Sequence, residues 1–155
     1  MSTASTTVLS GKQGPVAVIE READIKRSPE EVFAYCSDPL REPEWNPRLR
    51  RIEKLSDGSV GVGARYEMEF IPGRPMVVAC VRFDRPTAWA LAGELLGLRV
   101  GLGGRVLPTP DGAHVALRME FRAQGLPSVL LPLLRRRMRK ELARDLATIK
   151  ARLEG

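Results

Sequence analysis

The sequence predicts an α+β domain in which a strongly curved antiparallel sheet of about six or seven strands wraps around one long C-terminal helix, with two short helices after the first strand. Three features of the chain predict this fold. A long amphipathic segment ends the sequence, alternating segments joined by short turns precede it, and a helix-start signal follows the first alternating segment. With 155 residues, the chain has the length of one domain and can bury a core without disulfides or metals.

The C-terminal segment carries the clearest pattern. Its large apolar residues recur at steps of three and four and so form one stripe on a helix: Leu131, Leu134, Met138, Leu142, Leu146, Ile149 and Leu153. The other face is strongly basic and is predicted to be exposed to solvent, interrupted only by Glu141, Asp145 and Glu154. Because no helix of comparable length precedes it, the stripe is expected to lie on a sheet.

The first strand is predicted over residues 15–26, where apolar and polar residues alternate. Ile19, Ala23 and Ile25 share one side. The alternation places Arg21 among them, but a bulge or a surface position is expected for it, because a buried arginine requires a partner. If Arg21 does point inward, it is a candidate to neutralise a ligand carboxylate.

The two short helices are predicted from their start signals. Ser28 offers a capping hydroxyl, Pro29 suits the first helical position, and Glu31 completes a capping box. This helix is expected to end near Ser37. A second helix starts at Asp38-Pro39 and is kept to two turns at most by the prolines that follow.

Hairpin strands are predicted from alternation over residues 62–71, 74–84, 87–95, 98–107 and 114–122. A weaker pattern over residues 48–56 predicts a strand with a bulge. Glycines at positions 101, 103 and 104 permit strong curvature. They are not interpreted as a phosphate loop, because a strand and not a helix follows them.

The rest of the composition limits the classes of protein. Residues 1–14, rich in Ser and Thr, are predicted to be a flexible tail without the features of a secretion signal, so a cytoplasmic protein is expected, with the domain at residues 15–155. No uncharged apolar run is long enough to span a membrane. Cys36 and Cys80 have no metal-ligand or disulfide spacing, and no cofactor or metal is expected.

The net charge of +6 comes largely from the last helix, and a solvated helix face is its simplest explanation. An anionic membrane surface and a phosphorylated or carboxylated ligand remain as alternatives. Specific nucleic-acid binding is not expected, because no recognition-helix motif is present.

The chain resembles the START-like helix-grip (SRPBCC) superfamily, in its polyketide cyclase/dehydrase and lipid-transport branch. The resemblance covers roughly residues 15–153 and includes the terminal helix. Its motifs are Ile25-Lys26-Arg27-Ser28-Pro29-Glu30-Glu31-Val32-Phe33, Asp38-Pro39 with Glu44-Trp45-Asn46-Pro47, and Gly61-Val62-Gly63-Ala64-Arg65-Tyr66. It implies a cavity between the concave sheet and the long helix that binds an apolar small molecule.

The candidate ligand-binding residues lie on the inner parity of the strands, near the second short helix or on the helix stripe: Trp45, Tyr66, Met68, Phe70, Trp89, Leu91, Leu117, Met119, Phe121, Leu134 and Met138. The apolar residues on the inner face of the strands are expected to be core residues first and ligand contacts second. Trp45 is expected either to cover the cavity mouth or to fill the space between the second helix and the sheet.

Two protic side chains are weighed as catalytic groups. His114, the only histidine, is predicted to point outward beside a turn and is not assigned to the site. Tyr66 is predicted to point inward, where its hydroxyl can donate to a ligand carbonyl or simply be satisfied in the core.

Three functions follow as hypotheses. The first is binding of a hydrophobic small molecule, polyketide-like or lipid-like. The second is a cyclase/dehydrase-type enzyme in which Tyr66, with Arg21 or a water, polarises a carbonyl; this requires an ionisable group inside the cavity. The third is a lipid shuttle that contacts anionic membranes through the basic helix face and the apolar residues 126–134.

Overall fold

The computed structural model describes residues 16–71, 73–95, 97–123 and 128–155. The predicted tail, residues 1–14, and part of the apolar segment 126–134 lie outside this range. Within these residues the chain forms seven strands, two α-helices and two 3₁₀ helices. Their order is β1 (Val16–Ile25), α1 (Pro29–Ser37), a 3₁₀ helix (Pro39–Glu44), β2 (Leu49–Lys54), β3 (Arg65–Phe70), β4 (Pro75–Asp84), β5 (Ala88–Leu95), β6 (Leu98–Thr109), β7 (Gly112–Ala123), a short 3₁₀ helix (Ser128–Leu130) and α2 (Leu131–Glu154).

The strands form one antiparallel sheet in the order β1-β7-β6-β5-β4-β3-β2. Consecutive strands from β2 to β7 are neighbours, as the predicted hairpins require. β1 pairs with β7 and forms one edge of the sheet. The predicted bulge in β2 is confirmed by a register shift between Leu49 and Arg51. A seven-stranded sheet over a long C-terminal helix, with short helices after β1, confirms the predicted fold class.

The capping box at the start of α1 is also confirmed. The Glu31 backbone N–H donates to the Ser28 hydroxyl at 3.2 Å, and the Ser28 backbone N–H donates to the Glu31 carboxylate at 3.1 Å. These bonds fix the start of α1 directly after β1. They thereby place the following 3₁₀ helix, whose residues form part of the site.

Helix α2 packs along β1 with its predicted stripe inward. Met138, Leu142, Leu146 and Ile149 are buried, while the residues at the two ends of the stripe are partly buried. At the C-terminal end, Lys150 Nζ donates to the Asp24 carbonyl at 2.7 Å and Arg27 Nε donates to the Leu153 carbonyl at 2.5 Å. Burial of the four apolar side chains contributes roughly 1.5–3 kcal/mol each before entropy.

Arg21 departs from its prediction. The pairing of β1 with β7 runs without a register shift, and Arg21 lies opposite Leu117. The side chain therefore shares the inner face with Ile19 and Ala23 and is partly buried. The expected bulge or surface position is wrong, because the regular ladder leaves the arginine no other side of the strand.

Candidate functional site

A small cavity lies between the sheet and α2. Its volume is about 60 Å³, enough for a few water molecules at roughly 10–15 Å³ of such volume each. Its walls are mostly apolar, with a polar group of side chains at one part of the lining: Glu42, Trp45, Asn46, Arg48, Met68, Phe70, Met76, Val78, Leu91, Val100, Leu102, Met119, Leu142 and Asp145.

Five of the predicted ligand-binding residues line this cavity: Trp45, Met68, Phe70, Leu91 and Met119. Four of them come from the inner parity of β3, β5 and β7, and Trp45 follows the 3₁₀ helix after α1. The side chain of Trp45 is buried, with 5% of its surface exposed, and therefore does not lie over an open cavity mouth.

Five others belong to the core around α2 and are not among the cavity-lining residues: Trp89, Leu117, Phe121, Leu134 and Met138. Trp89 packs edge-on against Phe33, with ring centroids 5.7 Å apart. Gly104 makes room for the indole, since a Cβ there would lie 2.5 Å from the Trp89 ring.

Tyr66 points inward, as predicted, but it does not line the cavity. It is fully buried in a second apolar cluster formed by β2 to β5, and its hydroxyl has no hydrogen-bond partner in the described chain. Burial raises the pKa of its phenol above the ordinary value.

His114 lies on the outer face of β7, as predicted. Its Nδ1 is 2.7 Å from an Asp24 carboxylate oxygen, and its Nε2 is 3.3 Å from Glu22. The hydrogen bond to Asp24 is the main reason that the pKa of the imidazole is raised. His114 therefore stabilises the β1–β7 surface and has no part in the cavity.

The polar cluster of the cavity consists of Glu42, Asn46, Arg48 and Asp145. Asn46 joins the first three, because its Nδ2 donates to Glu42 Oε1 at 2.8 Å while its Oδ1 accepts from Arg48 Nε at 3.1 Å. Arg48 also pairs with Asp145 at 2.6 Å. The four side chains thus form a continuous hydrogen-bonded chain from the 3₁₀ helix to α2.

The local sequence places this cluster. The backbone N–H groups of Trp45 and Asn46 both donate to the Glu42 carbonyl, so the chain turns tightly after the 3₁₀ helix. The Arg48 N–H then donates to Asn46 Oδ1 at 3.1 Å, which directs the chain into β2. This turn presents both the acid and the amide to the cavity.

Burial raises the pKa of both carboxyl groups of the cluster. Glu42 is almost completely buried, and desolvation raises its pKa to about 7, against the opposing effects of Asn46 and Arg48. Desolvation also raises the pKa of Asp145, again opposed by Arg48. Glu42 is therefore a group that gains or loses a proton near neutral pH.

Two polar atoms of the cavity-lining residues have no hydrogen-bond partner in the described chain. They are Trp45 Nε1, a donor, and Asp145 Oδ1, an acceptor. Buried polar groups are normally satisfied. A bound molecule that both accepts and donates a hydrogen bond would satisfy them.

None of the four residues of this cluster is predicted from the sequence as a site residue. The prediction that Asp145 lies on the solvent face of α2 is wrong, because its side chain is 1% exposed. A signal was present: Asp145 follows Leu142 by three residues and precedes Ile149 by four, so it occupies a position in the apolar stripe. For Glu42, the four-residue spacing to Asn46 was the available sign.

No cluster of three or more metal-ligating side chains is present in the described residues. Among the helices that the structure describes, none is long and apolar enough to cross a membrane.

A curved antiparallel sheet over a long C-terminal helix, with an interior cavity, is the helix-grip fold of the START-like (SRPBCC) superfamily. Residues 16–154 match the family described as polyketide cyclase / dehydrase and lipid transport, and the chain belongs to this family. The predicted resemblance is thereby confirmed. Members generally bind hydrophobic small molecules.

Solved structures share the fold at low sequence identity. The di-domain ARO/CYC StfQ from the steffimycin biosynthetic pathway is 15% identical with a TM-score of 0.73, and the match covers 90% of this chain and 51% of that one. TTHA0849 from Thermus thermophilus is 17% identical with a TM-score of 0.69, covering 90% and 97% of the two chains. Norcoclaurine synthase from Thalictrum flavum, in complex with dopamine and hydroxybenzaldehyde, is 17% identical with a TM-score of 0.64, covering 96% and 95%. No curated protein matches the chain in sequence.

Proposed function

We propose that this protein is a cytoplasmic binding protein for an apolar small molecule, polyketide-like or lipid-like, that carries a hydroxyl or carbonyl group. The observation that supports it is the cavity, which combines apolar walls with an unsatisfied donor on Trp45 and an unsatisfied acceptor on Asp145. An unsatisfied buried polar group costs roughly 1–3 kcal/mol. A ligand hydroxyl accepts from the indole and donates to the carboxylate.

The cavity must widen to hold such a ligand, because drug-sized ligand sites occupy roughly 300–1,000 Å³. Its walls contain three methionines, Met68, Met76 and Met119, all buried. Methionine side chains are unbranched and change rotamer at low cost. The widening is therefore assigned to these side chains, with the sheet and α2 keeping their positions.

Two matched probes test this binding mode: naphthalene and 2-naphthol, which differ by one hydroxyl. 2-Naphthol is expected to bind about tenfold more tightly, the value of one hydrogen bond of about 1.4 kcal/mol. Trp45→Phe should reduce this advantage, because only the hydrogen bond to Asp145 then remains, and should change naphthalene binding less than 2-naphthol binding. Trp89→Phe, which removes the only other indole from a position outside the cavity, should preserve it.

Methyl NMR of methionine supplies the second readout. Signals of Met68, Met76 and Met119 should shift on saturation with 2-naphthol. Saturable binding that leaves all three wall methionines unshifted places the site elsewhere and rejects the proposal.

A cyclase/dehydrase-type enzyme is the second candidate, and Glu42 favours it. The hypothesis requires an ionisable group inside the cavity, and Glu42, with a pKa of about 7, is such a group. In this role the Glu42 carboxylate takes a proton from a carbon beside a ligand carbonyl, while Trp45 Nε1 donates to the carbonyl oxygen. Tyr66, the catalytic residue predicted from the sequence, lies outside the cavity lining.

A soluble poly-β-ketone thioester is the test substrate for this activity. Glu42→Gln should abolish cyclisation and leave 2-naphthol binding intact, and the wild-type rate should change near pH 7. Tyr66→Phe serves as the matched control and should retain the rate. Equal turnover by Glu42→Gln and the wild type would reject this catalytic role of Glu42 and leave ligand binding as the proposed function.

A further inference from the structure

A second site candidate lies outside the cavity, in an open groove between β1 and the first half of α2. The groove has a volume of about 530 Å³. Five of its eight lining side chains are cationic, and none is acidic: Ala17, Arg21, Leu131, Pro132, Arg135, Arg136, Arg139 and Lys140. The charges therefore face one shared concave space.

The protein does not neutralise these charges itself. In the described residues, none of the five cations pairs with an Asp or Glu side chain, whereas Arg137 on the same helix pairs with Glu141 at 3.1 Å. The sequence contains no Asp or Glu in positions 1–15, 72, 96 and 124–127. No other carboxylate of this chain is thus left to fill the role.

Arg21 is the feature that distinguishes this groove from an ordinary solvated helix face. It comes from the sheet and not from the helix, and its Nε is buried without a hydrogen-bond partner in the described chain. A buried guanidinium N–H that lacks an acceptor is costly. The groove thus holds a donor that an anion would satisfy.

We propose that this groove binds a phosphate ester, with Arg21 at its base and the cations of α2 around the phosphate oxygens. Arginine binds phosphate through two parallel hydrogen bonds, and several cations suit a group of more than one charge better than a single carboxylate. The phosphate belongs either to a soluble metabolite or to a lipid headgroup. Val129 and Leu133, which are close in sequence to the lining residues Leu131 and Pro132, are 72% and 65% exposed and are the apolar side chains that would insert beside a lipid headgroup.

Two probes distinguish the sources: pyrophosphate in solution, followed by ³¹P NMR, and vesicles of phosphatidylcholine with or without phosphatidylglycerol, followed by flotation. Arg139→Met and Arg21→Met should each weaken binding about tenfold, the loss of one charge-assisted hydrogen bond. Arg144→Met removes the same charge from an exposed position on α2 outside the groove and should weaken binding about twofold at most, through long-range attraction alone.

Each outcome decides between sources or against the site. Binding of pyrophosphate without vesicle binding assigns a soluble phosphate ester, and binding of anionic vesicles alone assigns a lipid headgroup. Absence of binding to both probes overturns the proposal. Equal losses in Arg139→Met and Arg144→Met also overturn it, since they would show a diffuse charge effect without a site. Urea denaturation of each variant verifies that it is folded.

Discussion

Arg48 and Arg21 both lie between the sheet and α2, but their surroundings are opposite. Arg48 contacts Asp145 and Glu141, each at 2.6 Å, and Asn46 at 3.1 Å. Arg21 pairs with no carboxylate among the residues that the structure describes, and it shares its groove with four other cations. The protein neutralises the first charge internally and so fixes the polar end of the cavity. It leaves the second charge for a partner from outside.

The largest expected effect comes from removing the paired arginine. Arg48→Met should lower the free energy of unfolding by about 3–5 kcal/mol, because it leaves the buried carboxylate of Asp145 without its cation. Urea denaturation at pH 8 measures this loss. Arg50→Met removes an arginine whose side chain is 70% exposed and 3.9 Å from Glu69, and it should cost under about 1 kcal/mol.

The double variant Arg48→Met/Asp145→Asn sharpens this test. Removing the charge of Asp145 together with that of Arg48 should recover a large part of the lost stability. If the double variant is as unstable as Arg48→Met alone, the packing of the arginine stem, and not the ion pair, carries its contribution.

An intermediate effect is expected from Glu42, which Arg48 does not fully neutralise. Its pKa of about 7 in the folded protein lies above the ordinary value of 4.5, so the folded state binds the proton more tightly than the unfolded state. This contribution is fully present below pH 4.5 and is lost as the pH rises through 7. The free energy of unfolding of Glu42→Gln, measured relative to that of the wild type, should therefore be about 2–3 kcal/mol greater at pH 8.5 than at pH 4.5.

The measurement is urea denaturation of both proteins across this pH range. Glu44→Gln provides the control, because Glu44 lies on the same 3₁₀ helix with an exposed side chain. The difference in stability between Glu44→Gln and the wild type should change less with pH than that of Glu42→Gln, because the Glu44 side chain is exposed. A constant difference for Glu42→Gln would mean that the buried carboxyl titrates normally.

The smallest effect on stability is expected from Arg21, and here the substitution should raise the free energy of unfolding. Arg21→Met keeps the apolar stem but removes a partly buried charge that faces other cations. In buffer without phosphate, the variant should be more stable than the wild type by roughly 1 kcal/mol. Thermal denaturation at low salt measures it, and added pyrophosphate should reverse the order by stabilising the wild type more than the variant.

The fold could be predicted because each of its main helices and strands has a recognisable local sequence pattern. The stripe from Leu131 to Leu153 has helical spacing, the Ser28 capping box marks a helix start, and alternation marks the strands. These patterns depend on neighbours within a few residues. Arg21 shows the limit of such patterns. The rule that arginine avoids burial predicts a bulge or a surface position, but the unbroken ladder between β1 and β7 places Arg21 on the inner face.

The site could be predicted only in part. Strand parity identified the inner-face residues Met68, Phe70 and Met119, but it does not distinguish those beside the cavity from Leu117 and Phe121, which fill the core. That difference depends on where α2 crosses the sheet and on the sizes of facing side chains. The polar cluster brings together Arg48 and Asp145, 97 residues apart, and no local pattern reports such a pair.

The order of strands in the sheet has a consequence for how the chain folds. β2 to β7 pair with their neighbours in sequence, so these hairpins can form as the ribosome releases them. In the described sheet β1 pairs only with β7, the last strand in the sequence, and must wait for it. Helix α2 follows β7 and covers the apolar face last. During synthesis the apolar face of the sheet is exposed until α2 is complete. Chaperones that bind exposed apolar surface are therefore expected to dissociate when α2 docks.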